Sequence, residues 1–195
     1  MRSFALAAVL AASAATGIAA PAFAQDAAAP FTGPRVEGLI GWDRLQNDGG
    51  HKDGVQYGVG VGYDMQMGGA VVGAEAEFGD SSTKTCVGAE TIASPELCAK
   101  GGRDIYVGGR VGTVVGGSTL VYGKAGYVNG RVKLTEDDGS GDVTLAGRNL
   151  DGVRVGAGVE HAVGPNSFVK AEYRYSNYAD GLSRNQVVGG FGFRF

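Results

Sequence analysis

Apolar side chains recur at every second position in eight separate tracts of this chain. In the first tract Val36, Ile40 and Trp42 alternate with Glu37 and Asp43. A step of two is the spacing of side chains on one face of a β-strand. Repeated tracts of about ten residues with an apolar and a polar face are typical of a transmembrane β-barrel. We therefore predict an all-β fold, an eight-stranded antiparallel up-and-down transmembrane β-barrel.

The apolar face of the tracts carries no charge. It holds 35 positions, where a charged content of 19% would place about seven charged residues if the faces were equivalent. At about 3.3 Å per residue and a tilt near 40°, each tract rises roughly 25 Å, the height of an outer-membrane apolar band. The eight tracts lie at about residues 35–45, 55–64, 72–78, 104–114, 121–127, 151–161, 169–175 and 186–195.

A soluble β-sandwich or soluble barrel is the alternative, because its strands also alternate. Its apolar series would face a packed core rich in Leu, Ile and Phe, and its polar series would be long and solvated. In this chain the polar series combines glycine with charges of both signs. That composition favours a narrow, enclosed lumen.

The polar faces predict a charge network that blocks the lumen. Eight strands enclose a bore just wide enough for side chains, and an unpaired buried charge costs several kcal/mol. Paired charges are therefore expected inside, and a gated ion path through them is the functional alternative. The central members of this network are Glu75, Glu77, Arg110, Lys124, Arg154 and Glu172.

The connections between tracts alternate between short and long. Short turns at 65–69, 116–117 and 164–166 are expected on the periplasmic side, and long loops at 46–54, 80–103, 130–149 and 178–185 outside. The longest loop contains both cysteines, Cys86 and Cys98, which predicts one disulfide in an oxidising compartment. A metal site at this pair is the alternative, although the loop contains no histidine.

No motif in the chain predicts a catalytic, cofactor or metal site. Gly58-Val-Gly-Val-Gly62 lacks the last glycine of a nucleotide-binding loop and opens no helix. The acidic residues around Gly139 and Gly141 miss the spacing of a calcium loop, which favours a solvated loop over a divalent-cation site. The outer faces contain no Ser and His pair at membrane depth, so a lipid-modifying hydrolase is the less favoured alternative. A formal net charge of −3 indicates no nucleic-acid partner.

The first residues predict export. Arg2, an apolar run from Phe4 to Ala15 and Ala22-Phe-Ala24 have the order of a signal peptide and its cleavage site. We predict a signal peptide at 1–24, a short N-terminal segment at 25–34 and the barrel at 35–195.

Three segments resemble a known family: Tyr122-Gly-Lys-Ala-Gly-Tyr127, Gly152-Val-Arg-Val-Gly-Ala-Gly-Val-Glu160 and Val169-Lys-Ala-Glu-Tyr-Arg-Tyr175. With the aromatic last strand, they are similar to the small outer-membrane β-barrel proteins of alphaproteobacteria, the "porin family" related to opacity-type and OmpA-type barrels. The resemblance implies four surface loops and insertion by the barrel-assembly machinery. The insertion signal is a C-terminal strand ending in Phe, which Phe191, Phe193 and Phe195 match.

These observations predict a non-enzymatic integral outer-membrane protein with a plugged polar lumen. It would support envelope integrity and display surface loops for adhesion or host contact. The alternative is a narrow porin-like channel for small solutes or ions. The expected partners are outer-membrane lipid and lipopolysaccharide, with the protein as a monomer in the cell outer membrane and no cofactor.

Overall fold

The chain folds into long β-strands. The computed structural model describes residues 30–47, 50–82, 84–87, 96–137 and 142–195. The predicted signal peptide lies outside these residues. The strands within them are β1 (Gly33–Asn47), β2 (Gly50–Met67), β3 (Ala70–Ser81), β4 (Lys84–Val87), β5 (Glu96–Val115), β6 (Thr119–Asp137), β7 (Asp142–Ala162), β8 (Ser167–Tyr178) and β9 (Ser183–Arg194).

Eight of these strands form a closed antiparallel barrel. Neighbours pair in the order β3, β2, β1, β9, β8, β7, β6 and β5. The pairing of β3 with β5, from Ala70 opposite Thr113 to Gly79 opposite Asp104, closes the cylinder. The short strand β4 pairs with the first part of β5. The predicted eight-stranded antiparallel up-and-down barrel is therefore confirmed.

The outer surface of the barrel is an apolar belt. Ile40, Val59, Val111 and Val153 face outwards and are each more than half exposed. An apolar surface that encircles a protein is costly in water and marks contact with lipid or with another apolar partner. Aromatic side chains lie near the ends of the outward series, as in the girdles of membrane barrels: Trp42, Tyr57, Tyr63, Phe78, Tyr127 and Phe195.

The end of the barrel with short connections, called the turn end here, has tight glycine turns. β2 and β3 are joined by Gly68 and Gly69, and β5 and β6 by residues 116–118. Gly116 and Gly117 have φ of 63° and 78°, a region that glycine enters without the steric penalty of a Cβ. The turns predicted from these glycines are confirmed, with strand ends shifted by one to three residues.

The opposite end, called the hairpin end, differs from the predicted loops. Residues 96–103 belong to β5, 130–137 belong to β6 and 142–149 belong to β7, where the sequence predicted loops at 80–103 and 130–149. That prediction was wrong because alternation of apolar and polar residues detects only the part of a strand that faces lipid. Beyond the belt the backbone pairing continues without that constraint, so the hairpins project from the barrel.

The described residues contain no helix of the length and hydropathy needed to cross a membrane. Their one helical element is a 3-10 turn at Ala179–Gly181, between β8 and β9.

Candidate functional site

The lumen is filled by charged side chains whose formal charges cancel. In the part of the barrel that the structure describes, it holds eight acidic and eight basic side chains, each at most 6% exposed. Burial of this many charges is tolerable only if each finds partners of opposite sign. The acidic members are Glu37, Asp43, Asp64, Glu75, Glu77, Asp104, Glu160 and Glu172, and the basic members are Arg35, Arg110, Lys124, Arg154, Lys170, Arg174, Arg184 and Arg194.

Lys124 is at the centre of this network. Its Nζ lies 2.6 Å from Glu75 Oε1, 2.7 Å from Glu77 Oε1 and 3.1 Å from Glu172 Oε1. The same Nζ lies 4.4 Å from the centre of the Tyr106 ring, within cation–π range. One ammonium group therefore holds together carboxylates from β3 and β8 across the bore.

Further cations complete this central cluster. Arg174 donates to Glu77 at 2.9 Å and also pairs with Glu172. Lys170 lies 2.8 Å from Glu37 Oε1 and 3.5 Å from Glu172 Oε2. Each of these carboxylates therefore has a cation on more than one strand, which ties the opposite walls of the barrel together.

A second cluster lies towards the turn end, around Asp64. Arg110 donates to Asp64 at 2.6 Å and to Glu160 at 2.8 Å. Arg194 contacts the same two carboxylates at 2.7 Å and 2.9 Å. Arg35 lies 3.1 Å from Asp64 and also pairs with Glu75. Arg35 thus joins this cluster to the central one.

A third cluster lies towards the hairpin end. Arg184 donates to Asp43 at 2.6 Å and to Asp104 at 2.8 Å. Asp104 also accepts hydrogen bonds from Arg154 at 2.8 Å and from the Tyr178 hydroxyl at 2.9 Å. Because Arg154 also lies 3.7 Å from Glu77 in the central cluster, the ion pairs run without interruption along the lumen.

The structure places five of the six lumen residues singled out from the sequence in or beside the central cluster. These are Glu75, Glu77, Lys124, Glu172 and Arg154. Arg110 lies instead in the turn-end cluster. The lumen residues predicted from the sequence did not include Arg35, Asp64, Asp104 or Arg184. Asp64 and Arg35 continue the inward series of their tracts, so extending the alternation by one step would have found them.

The turn-end mouth of the lumen is closed by the residue Phe31. Its side chain is fully buried and packs with Val71, Leu120 and Tyr122. The guanidinium of Arg194 lies 5.3 Å from the centre of the Phe31 ring, and its Nη1 donates to the Pro30 carbonyl at 3.1 Å. No periodicity precedes β1, so this plug could not be predicted from the sequence.

The hairpin end holds a small recess in the lumen wall. It is lined by Ser81, Tyr178, Leu182 and Arg184, among others, and has room of about 30 Å³ for solvent. A space of this size holds about one or two water molecules. The ion pairs lie below this recess, and Phe31 lies at the other mouth of the described barrel.

The rim of the belt at the hairpin end carries exposed polar groups. Arg44 donates to Asp53 at 2.7 Å, beyond the last apolar outward residues of β1 and β2. That hydrogen bond, with the nearby negative charge, raises the pKa of the Arg44 guanidinium above its ordinary value. Asp151 on β7 accepts hydrogen bonds from the Tyr127 hydroxyl and, at 2.6 Å, from Asn129. These contacts mark where the apolar belt ends.

A hydroxyl and an imidazole meet on the outer face near the turn end. Thr119 Oγ1 lies 2.9 Å from His161 Nδ1 across β6 and β7. This pair could not be predicted from the sequence, because its members are 42 residues apart. Among the described residues no carboxylate forms an ion pair with His161.

Comparison with known proteins identifies the family. The model of the outer membrane protein beta-barrel domain matches residues 4–195. The chain belongs to this family. Its turn end is accordingly the periplasmic end and its hairpin end the extracellular end, because outer-membrane barrels have short periplasmic turns and longer extracellular connections.

Relatives in the family place the protein in the outer membrane. The 22 kDa outer membrane protein of Rhizobium leguminosarum bv. viciae is 32% identical over 147 residues, 69% of this chain and 64% of the relative. The 31 kDa outer-membrane immunogenic protein of Brucella melitensis biotype 1 is 32% identical over 137 residues, 66% of this chain and 54% of the relative. The chain thus spans less than two thirds of the length of these relatives.

Solved structures share the fold. Ail, the attachment invasion locus protein of Yersinia pestis, has a TM-score of 0.56 and 20% identity, with 84% of this chain and 99% of that chain covered. Neisserial surface protein A has a TM-score of 0.56 and 16% identity, with 84% and 98% covered. These two likenesses show that the barrel fold is shared.

Proposed function

We propose that this protein is a non-conducting, non-enzymatic structural barrel that supports the envelope and displays its long hairpins at the cell surface. The observation that carries the proposal is the continuous set of ion pairs along the lumen, from Asp43 and Arg184 at one end to Asp64 and Arg194 at the other. Those charges fill the bore and hold opposite walls together. A rigid barrel of this kind is a scaffold on which surface connections carry the variable function.

Two further observations support surface display. β5, β6 and β7 continue well beyond the apolar belt, so paired strands rather than single-chain loops reach into the medium. The Brucella relative is described as immunogenic, as expected for a protein with exposed segments. Adhesion and host contact, monomeric state and insertion through Phe191, Phe193 and Phe195 are parts of the same proposal.

Conductance measurements separate the plugged barrel from a narrow channel. We expect the refolded protein in planar bilayers to show no steady single-channel steps, because buried ion pairs join opposite walls across the lumen. A general porin in the same bilayers provides the positive control, and a heat-modifiable gel band verifies that the protein is folded. The channel function would be supported instead by steps that change in Lys124→Gln and Glu75→Gln but not in Arg44→Gln, which alters a charge outside the lumen.

The extracellular hairpin of β4 and β5 is proposed to contain a disulfide. The register places Cys86 directly opposite Cys98. Residues that face each other in an antiparallel pair have Cα atoms about 4.5–5.5 Å apart, within the range that a disulfide spans. Such a bond would fasten β4 to β5 beyond the membrane.

Thiol alkylation tests the disulfide. Protein extracted from outer membranes and unfolded without reductant should resist alkylation at both cysteines, and both should react after reduction. The double variant Cys86→Ser, Cys98→Ser should still fold, because the pair lies beyond the barrel wall. Alkylation of both thiols before reduction would show that the bond does not form.

A further inference from the structure

Three cations lie together on the outer wall just above the apolar belt. Arg103 lies in the bulge of β5 between Gly101 and Asp104, opposite the stretch of β6 between Gly130 and Val132 that contains Arg131, and Lys133 follows on the same face of β6. The register also places Lys100 opposite Lys133. Arg103, Arg131 and Lys133 are called the basic patch.

The height of the basic patch matches the polar layer of the outer leaflet. Ile105 of β5 and Tyr127 of β6 are the last apolar outward residues of the belt on these strands. Arg103 precedes Ile105 by two residues in the chain, and Arg131 follows Tyr127 by four. Two residues of a tilted strand rise roughly 5 Å. Arg103 and Arg131 are therefore about 5–10 Å above the belt, where lipid headgroups lie, and Lys133 is roughly 15 Å above it.

The charges of the basic patch have no acidic partner within the described residues. No ion pair is formed there by Arg103, Arg131 or Lys133, and the Nε of Arg103 is buried without a hydrogen-bond acceptor. At a similar height on another part of the barrel, Arg44 forms an ion pair with Asp53. The basic patch is thus an exception to the charge pairing seen in the rest of the barrel.

The neighbouring carboxylates are already engaged by other groups. Asp151 accepts hydrogen bonds from Tyr127 and Asn129. Asp80, on the next strand beside Arg103, accepts one from the Ser81 backbone at 2.7 Å. The basic patch therefore has unused donors.

Arg131 is positioned by a glycine on the adjacent strand. A Cβ at Gly147 would lie 3.1 Å from Arg131 Nη2 and 3.4 Å from its Nε. The guanidinium therefore extends across the outer wall of β7 at a position without a side chain. It lies against the wall, where a headgroup beside the barrel would meet it.

We propose that the basic patch binds the phosphate groups of lipid A, the anchor of lipopolysaccharide. The proposal rests on the proposed surface display, which directs the hairpins outwards. Guanidinium and ammonium groups are the usual protein partners of phosphate. A lipid is favoured over a soluble polyanion because the basic patch lies directly above the apolar belt, beside the headgroups of the outer leaflet.

Binding of diphosphoryl lipid A to the full chain in detergent micelles tests this site. Cations near an anionic lipid surface contribute about 1 kcal/mol each, or about fivefold in affinity. We therefore expect Arg131→Gln to weaken lipid A binding about fivefold. A triple variant with Arg103→Gln, Arg131→Gln and Lys133→Gln should weaken it roughly 100-fold. Enzymatically dephosphorylated lipid A should bind the native protein and the triple variant equally.

Arg44→Gln is the matched control, because it removes one exposed cation at a similar height on the other side of the barrel. It should leave lipid A binding unchanged, and all variants should keep the heat-modifiable band. Equal affinity of the native protein and the triple variant would overturn the proposal, as would equal losses in Arg44→Gln and Arg131→Gln. The proposal would also be overturned if the triple variant lost binding of a soluble sulfated oligosaccharide while its binding of lipid A stayed that of the native protein. None of these outcomes depends on whether the barrel conducts.

Discussion

Replacing Lys124 with methionine is expected to lower the free energy of unfolding by about 3–5 kcal/mol. Methionine has nearly the volume of lysine, so the substitution removes the charge with little change in packing. Glu75, Glu77 and Glu172 would then face one another with one shared cation fewer. Equilibrium unfolding in denaturant, followed by the heat-modifiable band, measures the loss.

Arg44→Met is the control for this substitution. It also removes a single cation, but its ion pair with Asp53 is exposed, and exposed pairs contribute little. The unfolding midpoint should stay that of the native protein. If Lys124→Met were as stable as Arg44→Met, the central cluster would not hold the barrel together.

Replacing Gly126 with alanine is expected to cost about 1–3 kcal/mol or more. Gly126 faces the lumen on β6, where an added Cβ would lie 2.5 Å from Gly108 Cα and 2.8 Å from the Tyr106 ring. The backbone of β5 cannot yield as the end of a flexible side chain can. The wall would have to move, and Tyr106, which stacks against Lys124, would move with it.

Gly123→Ala on the same strand provides the comparison. Gly123 faces outwards, and the nearest atom to an added Cβ is 3.8 Å away. This variant should fold with native stability in the same unfolding experiment. Equal stability of the two variants would mean that the lumen near Gly126 has space that the structure does not show.

The alternation that predicted the barrel is imposed by the lipid. The outward positions of Val59 and Val111 contact acyl chains and must therefore be apolar. The charged side chains of Lys124 and Glu77 must face the lumen, because on the outer face they would contact acyl chains. That constraint acts on every second residue, so the strands, their faces and the inward charges could be read from the sequence. Strand extensions beyond the belt, such as 130–137, are free of it and were mistaken for loops.

The rest of the lumen could not be predicted because it depends on contacts across the barrel. The stagger of the strands determines which carboxylates pair with Arg110. These are Asp64 and Glu160, which are 46 and 50 positions away in the sequence. The Thr119 and His161 pair arises in the same way. Phe31 lies outside any periodic tract, and nothing local indicates that it closes the periplasmic mouth.

Contact between the outer wall and lipid can be measured with Trp42, the single tryptophan of the chain. Trp42 is 57% exposed at the rim of the belt. In vesicles of brominated phospholipids its fluorescence should be quenched best by bromine near the headgroups. In a Trp42→Phe variant carrying Val155→Trp, in the middle of the belt, bromine deep in the acyl chains should quench best. Quenching of both by aqueous iodide, without quenching by bromolipid, would contradict the account.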